Sequence, residues 1–312
     1  MTNINKTIHN AVMVREVLTA LHPHPGGHYL DATLGGATHS VEILKASNPD
    51  GKLLSLDVDP SALARGKNLQ KEFAGRWMVT ESNFRHIRDA ATASKLIPFD
   101  GILFDLGFSS DQLADPSKGL SFQEDGPLDM RLGPKGNEDA LTAEEIVNSW
   151  SKGDLIKCIK NFGEERFAFR IAEAIVTRRK KQKFKTTLDL ASVIAESVPR
   201  QHKPGALHPA TKTFQALRIA VNDELESLRV ALNEAWDILA PCGAIAVISF
   251  HSLEDRIVKQ TFKSFKDAEV SKKPILPSQT EINKNPRARS AKLRIACKQT
   301  SNNICPERTL LL

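Results

Sequence analysis

Asp57, Asp105 and His251 each stand at the end of a short apolar run, the place where strands of an open α/β sheet present polar groups to a ligand. The first such run, residues 28–34, passes into Asp31-Ala-Thr33-Leu-Gly35-Gly36-Ala37-Thr38-His39-Ser40. That small-residue loop enters a helix, so a ligand can approach its backbone closely. Asp57 follows Gly35 by 22 residues, where a carboxylate can accept hydrogen bonds from two ribose hydroxyls. A nucleoside ligand is expected. The loop is not G-x-G-x-x-G, which disfavours a dinucleotide and favours a ligand without a pyrophosphate, such as S-adenosylmethionine. Taken alone, the loop is equally compatible with a plain turn in which Asp57 and Asp59 are caps.

Ser82-Asn83-Phe84, after the third run, offers an amide and an aromatic ring to flank a purine. The fourth run ends in Asp105-Leu-Gly107-Phe-Ser109-Ser110. The exocyclic amine of cytosine or adenine is a poor nucleophile, because its lone pair is delocalised into the ring. A carboxylate and backbone carbonyls can localise it, which makes Asp105 the leading candidate to face an amine or the donor. In the fifth such stretch, Ser249-Phe-His251-Ser252-Leu-Glu254-Asp255-Arg256, His251 is a candidate catalytic base or RNA contact, or else a structural histidine. Ser252 with Asp255 is expected to cap the following helix.

These residues need a scaffold, and the alternation of apolar runs (28–34, 52–58, 77–80, 101–106, 244–250) with helical spacers predicts a parallel sheet. Asp59-Pro60-Ser61 marks a strand-to-helix reversal, with Asp as cap and Pro in the first turn. After Leu106 the pattern becomes turn-rich and then helical, with Thr142-x-x-Glu145 as a capping box, so residues 111–209 are expected to form an inserted all-helical domain. Residues 1–110 and 210–312 would form the α/β domain. A long amphipathic helix is predicted between Pro209 and Pro241, since Phe214, Leu217, Val221, Leu225, Leu228, Leu232, Ala235 and Leu239 step by three or four. Segments near 270–276 and 292–297 are expected to close the sheet as an antiparallel hairpin, followed by a frayed tail.

The chain has 312 residues, 41% hydrophobic and 26% charged, and no window apolar enough for a membrane span, which excludes an integral helical membrane protein and a disulfide miniprotein. The four cysteines (158, 242, 297, 305) form no C-x-x-C and the first ten residues lack a secretion signal, so free thiols and a cytoplasmic location are expected. His22-Pro-His24 has no second ligand pair at metal spacing, and no metal is expected. The net charge of +6 lies after residue 111: basic against acidic residues number 11 and 12 in 1–111, 16 and 14 in 112–208, and 16 and 11 in 209–312. Two basic runs stand out: 178–185, with Arg178, Arg179, Lys180 and Lys181, and 284–294, with Arg287 and Arg289. Both suit RNA phosphates.

The chain from His9 to Lys298 resembles the bacterial small-subunit ribosomal RNA cytosine-N4 methyltransferases, the MraW or RsmH family. The stretches that carry the resemblance include Asp31-Ala-Thr-Leu-Gly35, Asp100-Gly-Ile-Leu-Phe-Asp105-Leu-Gly-Phe-Ser-Ser110 with Gln112, and Asp125-Gly-Pro-Leu-Asp-Met-Arg131. They continue in Gly163-Glu-Glu-Arg166, His208-Pro-Ala-Thr-Lys-Thr-Phe-Gln-Ala-Leu-Arg218, Asn222-Asp-Glu-Leu225, Ile248 to Arg256, and Asn285-Pro-Arg-Ala-Arg-Ser-Ala291. The resemblance implies a doubly wound, Rossmann-like methyltransferase sheet with a helical substrate-recognition insertion, S-adenosylmethionine as donor and S-adenosylhomocysteine as product. Its substrate would be a decoding-centre cytidine of 16S rRNA in the small ribosomal subunit, with no obligate protein partner evident. It also implies donor contacts at Ala37, Thr38, His39, Asp57, Phe84, Asp105 and Gln112, beside the loop glycines Gly35 and Gly36. The family pattern has two glycines before the histidine where this chain has Ala37 and Thr38. A positive φ at either position would cost about 1 kcal/mol or more, and Thr38 could offset it by capping the next helix. If the replacements spoil the donor site, the alternative is an inactive rRNA-binding assembly factor.

Overall fold

The parallel order of the sheet follows from strands that are apolar on both faces, since such strands must be covered by helices on each side. The computed structural model describes residues 11–73, 75–108, 112, 115–134, 141–199 and 207–300. His9, Ser109, Ser110 and the expected tail after Thr300 lie outside the described residues. The chain divides into two compact units, Met1–Ser109 with Leu225–Leu312, and Ser110–Glu224.

In the first unit, β1 (His28–Asp31), β2 (Lys52–Asp57), β3 (Trp77–Glu81), β4 (Phe99–Asp105), β5 (Leu239–Ser249), β6 (Ala268–Val270) and β7 (Lys292–Lys298) form one sheet in the order β3-β2-β1-β4-β5-β7-β6. β1 to β5 are parallel, and β7 is antiparallel to both β5 and β6. The expected closing hairpin is therefore real in its pairing, but β7 lies inside it against β5, and the segment after β6 contributes the Ser271 bonds to Ile295 and the bridge Ile275 to Leu293. Alternate residues feed two apolar layers. Tyr29, Leu53 and Leu103 join the cluster that includes Leu21, Ile43 and Leu44 of α1 (Val14–Leu21) and α2 (Thr38–Ala46). Leu30, Leu54 and Phe104 join the opposite one. Side chains such as Leu30 and Leu54, at most 1% exposed, each stabilise the fold by about 1.5–3 kcal/mol.

The other helices of this unit include α3 (Pro60–Leu69), capped by Asp59, whose side chain accepts from the Ser61 N–H as expected, and α4 (Ile87–Ser94). Among the described residues, the inserted unit contains α5 (Ala143–Ser149), α6 (Lys152–Gly163), α7 (Ala168–Arg179), α8 (Thr187–Ser197) and α9 (Thr211–Asn222). α5 opens with the expected capping box between Thr142 and Glu145.

The predicted long helix is two helices. α9 ends at Asn222, Asp223 takes a left-handed conformation (φ +47°, ψ +41°), and α10 (Glu224–Ile238) starts afresh. The second boundary accordingly falls at Glu224 rather than at 209, and α9 belongs to the inserted unit, where it packs on α6. Asn222 secures this end: its Oδ1 accepts from the Leu132 N–H at 2.9 Å, and its Nδ2 donates to the Met130 carbonyl at 2.9 Å. Cys158 and Cys297 are buried thiols outside any disulfide, but Cys242 is disulfide-bonded, contrary to the expectation of four free thiols. No helix among the described residues is long and apolar enough to cross a membrane.

Candidate active site

Parallel neighbours β2, β1 and β4 all end in aspartate, and the register sets Asp31 and Asp105 two rungs apart on adjacent strands, with Asp31 beside Leu103. Asp57, at the end of β2, accepts the Gly35 N–H on Oδ2 and the Asp59 N–H on Oδ1, both at 2.8 Å. Its carboxyl is raised by burial, a push that these backbone donors partly oppose. Gly35 adopts φ +46°, and a Cβ there would meet nothing nearer than the Thr33 carbonyl at 3.8 Å, so the loop backbone faces open space. Arg65 Nη1 ties down the Gly35 carbonyl at 2.8 Å. A carboxylate has about four acceptor positions. The described bonds thus leave Asp57 able to take a ribose hydroxyl, and this loop fits the donor expected there.

Ala37 takes the positive φ feared at that position (φ +66°, ψ +4°), so the strain is real. The methyl group is only 1% exposed and belongs to the apolar cluster beneath the loop, so it does not obstruct the ligand side. Thr38 does not compensate: it is the first residue of α2, whose cap, Ala37, makes no side-chain bond. His39 follows, buried, with Nε2 3.1 Å from the Val12 carbonyl and Nδ1 3.5 Å from Asp105 Oδ2. A carbonyl only accepts, so Nε2 carries a proton, and the approach of Nδ1 to the carboxylate is attractive when the ring holds a second one.

Asp105 is held by its backbone. Its N–H donates to Thr33 Oγ1 at 2.7 Å, and its Oδ1 accepts from the Gly107 N–H at 3.3 Å. The turn needs glycine, since a Cβ on Gly107 would lie 2.7 Å from the Phe250 ring and 3.3 Å from Asp105 Oδ1. Gly107→Ala is expected to lower stability by about 1–3 kcal/mol through overpacking, and to slow turnover by displacing Asp105. Denaturant melts and methyl-transfer rates check this, and a variant that matches the parent in both would contradict it.

Sequence reasoning placed Asp31 in the loop without giving it a role. It is 1% exposed, accepts from Ser40 Oγ at 2.7 Å and the Thr33 N–H at 3.1 Å, and burial pushes its pKa up to about 6. Because the folded pKa exceeds the unfolded value, Asp31 favours the fold at acid pH, and that contribution is lost as pH rises through about 6. The loss amounts to about 3 kcal/mol at most. Relative to an Asp31→Asn variant, the protein should lose stability between pH 4 and 7, as read from urea melts. Parallel curves would contradict the shift.

Phe84 stands half-buried after β3, edge-on to Phe104 at 6.0 Å between centroids, so a face of its ring is not taken by that partner. Gln112 is half-buried, and its immediate neighbours lie outside the described residues. His251 has a structural role on one side of its ring, and its buried Nε2 lies 3.1 Å from Glu254 Oε1. It caps α11 (Ser252–Ser264), with Nδ1 accepting the Glu254 N–H at 3.3 Å, while Glu254 Oε2 accepts from the His251 N–H at 3.2 Å. The capping box thus starts one residue before the expected Ser252. Asp255 instead meets Arg294 at 2.6 Å and Lys292 at 3.3 Å; burial pushes its carboxyl up, but the two cations outweigh this and hold it low.

The basic runs divide. Arg178 bonds Asp189 at 3.0 Å, and Arg179 donates to the Val147 and Trp150 carbonyls, both at 2.8 Å, so these two guanidiniums serve the inserted unit's own packing. Lys180, Lys181, Arg287 and Arg289 are exposed.

A model of the MraW methylase family matches residues 6–299. The chain belongs to that family. It is 45% identical to the ribosomal RNA small subunit methyltransferase H of Thermomicrobium roseum, over 93% of each chain. It is 47% identical to the protein of that name from Synechococcus elongatus (92% of this chain, 94% of the relative), and 43% identical to that from Heliobacterium mobile (93% and 98%). Family membership spans both units, and the three strand-end aspartates all fall within the matched stretch.

Proposed function

We propose that this protein methylates 16S rRNA of the small ribosomal subunit, transferring the methyl group of S-adenosylmethionine to the N4 amine of a cytidine. The observation that carries the reading is the family match across residues 6–299, laid over strand ends that carry Asp57 on a glycine loop and Asp105 pinned two strands away. The sulfonium of the donor supplies an electrophilic methyl carbon. Asp57 and the backbone of residues 35–38 hold the donor's ribose and methionine end, and Phe84 packs beside the adenine. Asp105 accepts a hydrogen bond from the cytosine amine, turning its lone pair out of ring conjugation and along the line of attack. As the C–N bond forms and the C–S bond breaks, the amine nitrogen becomes acidic, and its proton passes to the Asp105 carboxylate that already accepts its hydrogen bond. S-adenosylhomocysteine and the N4-methylated base are the products.

The exposed cations Lys180, Lys181, Arg287 and Arg289 are the proposed phosphate contacts, and the helical unit the proposed rRNA reader. His251 is given no chemical step in this reading. Transfer of labelled methyl groups to unmodified small subunits, naked 16S rRNA and DNA tests the proposal. Label in the subunit or its rRNA is expected; label confined to DNA, or none at all with subunit binding intact, would overturn it.

A further inference from the structure

Past the end of β1 the chain pairs alternately with its two neighbours. Ala32 donates to Leu103 of β4 and Leu34 to Leu56 of β2, each at 2.9 Å. The N–H of Asp105 takes a side chain instead, Thr33 Oγ1, at 2.7 Å. Thr33 is itself fixed, its N–H donating to Asp31 Oδ1 at 3.1 Å. Asp31 is fixed in turn by Ser40 Oγ at 2.7 Å, Ser40 by Ser55 Oγ at 2.9 Å, and Ser55 by the indole N–H of Trp77 at 2.9 Å. Asp31, Ser40, Ser55 and Trp77 are each at most 1% exposed. A buried polar thread therefore runs from β3 through β2, α2 and β1, and ends on the main chain of Asp105.

We propose that Thr33 is a positioning residue for methyl transfer, its hydroxyl setting the backbone of Asp105 and hence the aim of the Asp105 carboxylate. The inference rests on the reading of Asp105 as the group that faces the reacting amine. Neither the Asp57 bonds nor the Gly35 carbonyl anchor involves the Thr33 side chain. Donor binding and carboxylate aim are thus separable, and an error of about 1 Å in aim slows a reaction by about 100-fold.

Thr33→Val keeps the shape and removes the acceptor; Thr33→Ser keeps the hydroxyl. With full-length protein and unmodified small subunits, Thr33→Val is expected to lower kcat by about 10–100-fold, while the donor dissociation constant by calorimetry moves by less than about threefold. Thr33→Ser should restore kcat to near the parent value. In an Asp105→Ala background Thr33→Val should cost nothing further, because groups acting as a unit are not additive. A parental kcat in Thr33→Val, an equal loss in Thr33→Ser, or a full multiplicative loss in the double variant would each overturn the proposal. If Thr33→Val does not fold, Thr33→Ala, which also lacks the hydroxyl, is read by the same criteria. Parental turnover in Asp105→Ala would instead overturn the underlying reading of Asp105, a result distinguishable from failure of Thr33 alone.

Discussion

Asp105→Ala is expected to reduce methyl transfer at saturating donor and saturating subunits by about 100–1,000-fold, the loss typical when one preorganised polar partner of a developing charge is removed. That factor corresponds to about 3–4 kcal/mol of transition-state stabilisation. The donor dissociation constant should change little, because the bonds that shape the donor loop run from Asp57 and Arg65 rather than from Asp105. Asp105→Asn is the sharper variant. Its amide keeps the volume and one acceptor but presents an N–H to the amine or to His39 in one of its two orientations, so an intermediate rate is expected. Single-turnover rates with calorimetric donor titration read the two quantities separately, and a loss of donor affinity that accounts for the whole fall in rate would move Asp105 from the amine to the donor.

The second large effect belongs to Asp57. On the proposed contacts of Asp57 with two ribose hydroxyls, its removal costs about 1.5–3 kcal/mol for each charge-assisted bond, so Asp57→Ala should weaken donor binding by at least about 100-fold. Part of the loss is indirect, since the variant also strips the acceptors of the Gly35 and Asp59 N–H groups and loosens the loop. Asp57→Asn separates the two contributions: one carbonyl oxygen can still serve a backbone N–H, and donor affinity should fall less than in the alanine variant. Calorimetric affinity equal to the parent in both would remove Asp57 from the donor site.

How far the sequence could reach is clearest at the strand ends. The positions of Asp57 and Asp105 were legible because each terminates a mostly apolar run, and in a parallel sheet the carboxyl ends of such runs converge without any knowledge of packing. The strain at Ala37 was legible for a related reason: an early-helix loop built on glycines has few backbone solutions, and a residue with a Cβ must take the one available. Asp31 had no such signal. Its raised pKa comes from burial, and the polar chain of Ser40, Ser55 and Trp77 beside it comes from three further elements that meet only after the sheet has formed.

The break between α9 and α10 was hidden because the apolar stepping continues across it, from Leu217 and Val221 to Leu225 and Leu228, while the left-handed turn at Asp223 leaves no mark in periodicity. The misplaced cap has an equally local cause. Ser252-x-x-Asp255 and His251-x-x-Glu254 are equivalent spacings one residue apart, and the ion pairs of Asp255 with Arg294 and Lys292 decide between them by drawing Asp255 away. Within the charge run the sequence makes no such distinction. Arg178 and Arg179 look like Lys180 and Lys181 in sequence, yet a planar guanidinium reaches carbonyls and a carboxylate that only tertiary packing supplies.

The central claim, that Asp105 directs transfer to a cytosine amine of 16S rRNA, is tested most directly by nucleoside mass spectrometry of rRNA from unmodified small subunits treated with donor and either the parent protein or Asp105→Ala. The account predicts N4-methylcytidine with the parent and a yield lower by about 100-fold or more with the variant at equal time. A different methylated nucleoside, or equal yields from the two proteins, would contradict it.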